Sequence, residues 1–199
     1  MADNYRTIVA PSEATYKEKM SRFLAFAHPV TTREEARAVV ASYQKKYYDA
    51  RHVCWAFMLG QSRSDFLSSD NGEPSGTAGK PILGQINSYE LTDVVIVVVR
   101  YFGGIKLGTS GLIAAYREAA REALEAATIE ERHSMEEISF TFPYISMNDV
   151  MKLTKNGDAS IVSQIFDNTC SMTLSIRRDS APALRARLED IDGVEILQI

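Results

Sequence analysis

Apolar and polar positions alternate with two different periods along the chain. Residues 5–9 and 21–26 alternate in the manner of strands, with a less regular stretch at 16–20. Ala36, Val39, Val40 and Tyr43 then recur at helical spacing. That helix starts at Thr31-Thr32, and Thr32 followed by Glu35 has the capping-box spacing, in which side chains satisfy exposed amides of the first turn. Residues 52–59 read as a strand and 65–69 as a weaker one. Residues 69–81 are dense in Gly, Ser, Thr and Pro, the composition of a turn or loop, and a short helix is expected at 81–88. Residues 94–99 are six β-branched side chains in a row. Such a run is apolar on both faces and predicts a central strand covered on both sides. A long helix follows, with Leu112, Ile113, Tyr116, Ala120, Ala123 and Leu124 on one side.

Beyond residue 136 the pattern changes. A strand at 138–143 is followed by a helix that Ser146 could cap and that runs to Asn156-Gly157. Strands at 159–166 and 171–177 flank an Asp-Asn turn, a helix opens at Ser180 and Pro182, and a strand closes at 194–199. This β-α-β-β-α-β order is the ferredoxin-like arrangement. The expected architecture is therefore α+β with two domains, 1–136 and 137–199. The charged stretch 130–137, including Glu130, Glu131, Glu136 and Glu137, is read as a solvated linker.

Composition narrows the setting. With 45% hydrophobic and 24% charged residues, the 199-residue chain can bury a core. Its start has no apolar segment of the export type, and its longest apolar run is far shorter than the roughly 20 residues of a membrane helix. Cys54 and Cys170 fit no metal spacing and read as reduced, buried thiols. A cytoplasmic location without membrane association is expected. The net charge of −4 opposes indiscriminate nucleic-acid binding, so any such contact needs a local positive region.

Two glycine-rich segments supply one. The first is GEPSGTAGKP, residues 72–81, and the second is RYFGGIKLGTSG, residues 100–111. Glycines at this density let backbone amides approach a ligand, and a strand running into a helix start makes an anion site. From Val99 through Arg117 there are three basic residues and no acidic one. The expected phosphate or nucleic-acid surface comprises Ser75, Gly76, Thr77, Gly79, Lys80, Arg100, Tyr101, Gly103, Gly104, Lys106, Gly108, Thr109 and Ser110. In it Lys80, Arg100 and Lys106 meet phosphates, while Tyr101, beside Phe102, offers a face for base stacking. The competing structural reading is that glycine corners arise wherever strand and helix pack closely. Neither segment is a P-loop, because Pro74 and Pro81 occupy the positions of its first glycine and its metal-binding hydroxyl. Nor are the glycines of the second segment spaced as a dinucleotide fingerprint.

Both segments resemble the signature of the IMPACT/YigZ family, in particular its bacterial two-domain members. Ser21-Arg22-Phe23 with Pro29-Val30, the block Tyr48-Asp49-Ala50-Arg51-His52 followed by Cys54, and the carboxyl-terminal β-α-β-β-α-β segment extend the likeness over nearly the whole chain. Asn71 departs from the Asp that many relatives carry ahead of Gly-Glu-Pro, so no carboxylate role at that position carries over. The resemblance implies a first domain like a ribosomal small-subunit protein and the fourth domain of elongation factor G. The second domain would then be like that factor's last one. It also implies RNA or ribosome-associated partners and a link to translation regulation. Eukaryotic members act in translational control through a starvation-responsive kinase pathway, using an additional domain for which this chain has no room.

Two other chemistries compete with RNA binding, for which no cofactor, metal or catalytic residue is expected. A nucleotide-dependent phosphotransferase would use the glycine-rich loops as its phosphate site, but phosphoryl transfer needs a metal-holding group and Glu73 is the one carboxylate inside either segment. A hydrolase could draw on Ser75 with Lys80, or Ser110 with Lys106, as a Ser-Lys pair. His52, close in sequence to Asp49 and Cys54, reads as a core histidine beside a buried thiol, not as a base beside its nucleophile.

Overall fold

The computed structural model describes residues 4–155 and 158–197. They fall into two compact units, residues 1–132 and 133–199.

The first unit contains β1 (Asn4–Ile8), β2 (Ser12–Glu18), β3 (Ser21–Pro29), α1 (Arg33–Lys46), β4 (His52–Leu59), β5 (Asp65–Ser69), α2 (Gly79–Ser88), β6 (Val94–Tyr101), α3 (Gly108–Glu125) and β7 (Ile129–His133). Five strands form an antiparallel sheet in the order β2-β3-β6-β4-β5. The apolar run predicted to be central is central. Val94, Ile96 and Val98 pack with Ile82 and Ile86 of α2 and with Leu112, Ala115 and Tyr116 of α3. Val95, Val97 and Val99 pack on the other face with Ala36 and Val40 of α1. All six are fully buried, each worth about 1.5–3 kcal/mol of hydrophobic stabilisation.

Local signals behave as the sequence suggests, with three differences. Thr32 caps α1 by accepting from the Glu35 amide at 3.1 Å, but the Glu35 carboxylate reaches back to the amide and hydroxyl of Thr31, not Thr32. The strand around 16–20 lies earlier, at β2, because Lys19 and Met20 take positive φ to turn the chain into β3. The stretch 130–137 is not a linker. It supplies β7, which pairs with β1 as a two-stranded ribbon, and the start of β8. The residues of β7 are half-buried or exposed, so the strand carries no apolar alternation to announce it.

The second unit contains β8 (Met135–Phe142), a 3-10 turn at Tyr144–Ser146, α4 (Met147–Lys155), β9 (Ser160–Ile165), β10 (Cys170–Arg177), α5 (Ala181–Glu189) and β11 (Glu195–Ile196). The sheet order β11-β8-β10-β9 is ferredoxin-like, so the chain is an α+β protein of two domains. The inward positions of β10, Cys170, Met172, Leu174 and Ile176, meet Val150 and Leu153 of α4 and Leu184 and Leu188 of α5. Ser146 does not cap α4. It ends the 3-10 turn, and its hydroxyl donates to the Asp192 carbonyl at 2.6 Å. The expected helix end at Asn156-Gly157 and the last two residues of the expected final strand lie outside the described residues. No helix among the described residues is long and apolar enough to cross a membrane.

Candidate functional site

Antiparallel register places His52 of β4 directly beside Arg100 of β6, with Phe23 of β3 on the other flank. All three project from the face that carries α2 and α3, because Cys54, Ala25 and Val98, two positions on, belong to that core. The GEPSG loop follows β5 and swings Glu73 over this row. Glu73 Oε1 accepts from Arg100 Nη1 at 2.7 Å and from the Tyr116 hydroxyl of α3 at 2.9 Å. The Arg100 and Glu73 side chains are 7% and 3% exposed, so this is a buried ion pair. The guanidinium also lies over the rings of Phe23 and Phe102, 5.6 and 5.5 Å from their centroids. Arg100 Nε is buried and has no hydrogen-bond partner among the described residues.

Around this pair a cavity of about 370 Å³ opens, walled by Arg51, His52, Glu73, Pro74, Arg100, Phe102 and, where α3 starts, Lys106, Leu107, Gly108, Thr109 and Leu112. Helix α3 begins without a side-chain cap, so its first-turn amides keep the partial positive charge of a helix start. Among the described residues Arg51 and Lys106 enter no ion pair and are exposed. Phe102 is 52% exposed at the rim.

The expected surface splits when set against this geometry. Arg100, Lys106, Gly108 and Thr109 line the cavity, and Ser110 is exposed in the same helical turn. Ser75, Gly76, Thr77, Gly79 and Lys80 do not line it. In that loop the amides expected to meet an anion are already engaged. Asp70 Oδ2 accepts from the Gly76 amide at 2.7 Å, and Oδ1 accepts from those of Ala78 and Gly79 at 3.0 and 2.8 Å. Burial pushes the Asp70 carboxyl up, but the three amides and nearby Lys80 outweigh it and hold it below the ordinary range. Thr77 is buried, with its hydroxyl donating to the Pro74 carbonyl at 2.6 Å. Gly79 is a packing glycine, since a Cβ there would lie 2.8 Å from the Ser69 amide nitrogen.

The aromatic expectation moves by one residue. Tyr101 sits on the opposite face of β6, where its hydroxyl donates to Asp49 at 2.8 Å and its ring meets Tyr47. Phe102 is the ring at the cavity. Gly103 abuts the Met20 backbone, Gly104 takes φ +90° in open space, and neither lines the cavity.

Sequence reasoning passed over Arg51, His52 and Glu73 as site residues. His52 is the mostly buried, hydrogen-bonded histidine expected, but it also lines the cavity. Its Nδ1 lies 2.9 Å from the Asn71 carbonyl, and its Nε2 lies 4.0 Å from Glu73 Oε2. Cys54 is the buried thiol expected, within 2.9 Å of the Asp70 carbonyl and 3.3 Å of the Tyr116 hydroxyl, and burial pushes it up to about 12.

Residues 19–124 match the family model of the Impact N-terminal domain. An IMPACT family member of Haemophilus influenzae is 33% identical over 96% of this chain and 96% of its own. The chain belongs to the IMPACT family. The family member YigZ of Escherichia coli is 31% identical over 91% of this chain and 90% of its own length. A crystal structure of a hypothetical protein superposes over 100% of this chain and 98% of its own with a TM-score of 0.75 and 29% identity. The span matched by the IMPACT model contains every residue that walls the cavity, whereas the second unit lies outside it.

Proposed function

We propose that this IMPACT-family protein binds RNA through the cavity of its first unit and acts in translation regulation, in the cytoplasm, with ribosome-associated factors as its setting. One observation carries the reading. Arg51, Lys106 and the uncapped start of α3 surround a single opening whose rim is an exposed phenyl ring. Cations and helix-start amides suit phosphate oxygens, and a flat apolar face suits an unstacked base. The place in translation comes from family membership; the ligand class comes from the cavity.

The test is fluorescence anisotropy with a short single-stranded RNA across a salt series. Affinity falls with salt by roughly 0.7 log units per log unit for each phosphate neutralised. Lys106→Ala weakens binding to all sequences alike and lowers that slope by about 0.7. Affinity that ignores both salt and this substitution disproves the proposal.

A further inference from the structure

His52 and Glu73 present the cavity with two acceptors that phosphate binding does not use. The Asn71 carbonyl can only accept, so His52 Nδ1, 2.9 Å away, carries the hydrogen. Asn71 takes positive φ, and its side-chain oxygen accepts from the Val53 amide at 3.2 Å. Gly72 packs against the same imidazole edge, where a Cβ would come within 3.3 Å of Nδ1. The ring is thereby fixed, and in its neutral form Nε2 is an acceptor. Glu73 Oε1 is taken by Arg100 and Tyr116, whereas Oε2 accepts no hydrogen bond among the described residues. The two acceptors stand 4.0 Å apart in the cavity wall. Filling both with one group takes two hydrogens. A hydroxyl has one and would leave the second acceptor against its own lone pairs. A trigonal amino nitrogen about 2.8 Å from each acceptor sees them roughly 90° apart. Its N–H bonds spread by about 120°, so both hydrogen bonds stay straighter than about 150°.

We infer that this acceptor pair takes the exocyclic amino group of a nucleobase, so that the cavity selects adenine, cytosine or guanine over uracil. The inference rests on the RNA-binding reading above and names which bases that site accepts. Adenine, cytosine and guanine each carry an amino group with two hydrogens. Uracil has none; its single N–H lies between two carbonyl oxygens, and either one set against Glu73 is repelled by the carboxylate. The rest of the cavity favours a base over other amines. An ammonium brings enough hydrogens, but Arg51, Arg100 and Lys106 on the same wall repel a cation. Pro74, Phe102, Leu107 and Leu112 supply apolar surface that suits an aromatic ring attached to the amine. Arg51 and Lys106 can hold the adjoining phosphates whatever the base.

The experiment compares five fluorescent RNA strands by anisotropy at one pH and salt concentration. All are uridine throughout except at one central position, which carries adenosine, cytidine, guanosine, uridine or purine riboside. An amine bonded to a carboxylate predicts that the first three bind about 10- to 100-fold more tightly than the last two. Purine riboside is adenosine without its amino group, so it separates amine recognition from ring size and stacking, and it does so in the unaltered protein. Glu73→Gln abolishes the preference, because Arg100 holds the amide oxygen and the amide nitrogen then puts a donor where Oε2 stood. Its fold is checked by circular dichroism. His52→Ala leaves the Arg100–Glu73 pair intact, removes the neutral acceptor and lowers the preference about 2- to 10-fold. Purine riboside binding as tightly as adenosine, equal affinity for all five strands, or a preference untouched by both variants overturns the inference while leaving phosphate binding standing. No binding by any strand overturns both readings.

Discussion

Breaking the Arg100–Glu73 pair should destabilise the first unit strongly, and the size of the effect follows from burial. At 2.7 Å the Coulomb attraction is about 6 kcal/mol for an effective dielectric near 20, but desolvating both ions costs several kcal/mol in return. The intact pair is therefore close to neutral against an apolar replacement. Removing one partner is not neutral. Arg100→Met removes the guanidinium that lies over Phe23 and leaves Glu73, among the described residues, with the Tyr116 hydroxyl as its one remaining donor. The expected loss is about 3–5 kcal/mol. In the double variant Arg100→Met, Glu73→Gln no buried charge is stranded, so about 2–3 kcal/mol of the summed single losses should be recovered. Tyr116→Phe, which removes one hydrogen bond to the carboxylate, should cost about 1.5–3 kcal/mol. Urea unfolding followed by Trp55 fluorescence is the assay. Trp55 is the chain's one tryptophan and lies on β4, so the signal reports the first unit whatever the second does. An Arg100→Met loss below about 1 kcal/mol, or singles that add without coupling, would refute this account.

Asp70 is held below its ordinary range in the fold, so its contribution is present above the unfolded value near pH 4 and is lost as pH falls through the folded value. The urea midpoint of the wild type should drop on acidification below about pH 4, and Asp70→Asn should start lower and lose that part of the slope. Gly103→Ala would drive a Cβ to within 2.1 Å of the Met20 backbone, and overpacking of this kind costs about 1–3 kcal/mol by the same fluorescence assay. Tyr101→Phe deletes a bond to Asp49 on the far side of the sheet, so RNA affinity measured by anisotropy should stay within about twofold of wild type.

Much of this fold is written in short stretches of the chain. Six β-branched residues can only be a strand covered on two sides, and Thr32 with Glu35 marks the start of α1 within its own turn. What stayed hidden depends on partners remote in sequence. The amides of the first glycine-rich loop look available until Asp70, upstream of the motif, is seen to occupy them. Glycines that suggested a ligand at residues 79 and 103 instead admit neighbouring backbone. Whether an aromatic beside a strand end faces the site is a matter of single-residue parity, which gave the position to Phe102 and not Tyr101. His52 became legible only through register, since nothing local tells that β4 and β6 align it with Arg100. β7 escaped because Ile129 is its one apolar residue against the core and the rest of the strand, Glu130 to His133, is polar, so no alternation marks it.

The buried pair also limits how strongly the cavity can depend on salt. Three cations, Arg51, Arg100 and Lys106, line it against one carboxylate, Glu73. Arg100 is already neutralised by that carboxylate, so bringing a phosphate to it releases little counterion. Two cations remain for phosphates, and two neutralised phosphates on a single strand predict a slope of about −1.4 in log affinity against log salt. A net charge of −4 on the chain is compatible with so small a footprint, because opposite charges beyond a Debye length of about 8 Å are screened. A measured slope near −3 or steeper would refute a site confined to this cavity. It would return Lys80, which stands exposed on the first turn of α2, to the binding surface, and Lys80→Ala would then reduce the slope as Lys106→Ala does. A slope near −1.4 that Lys80→Ala leaves unchanged would confine phosphate recognition to Arg51, Lys106 and the start of α3.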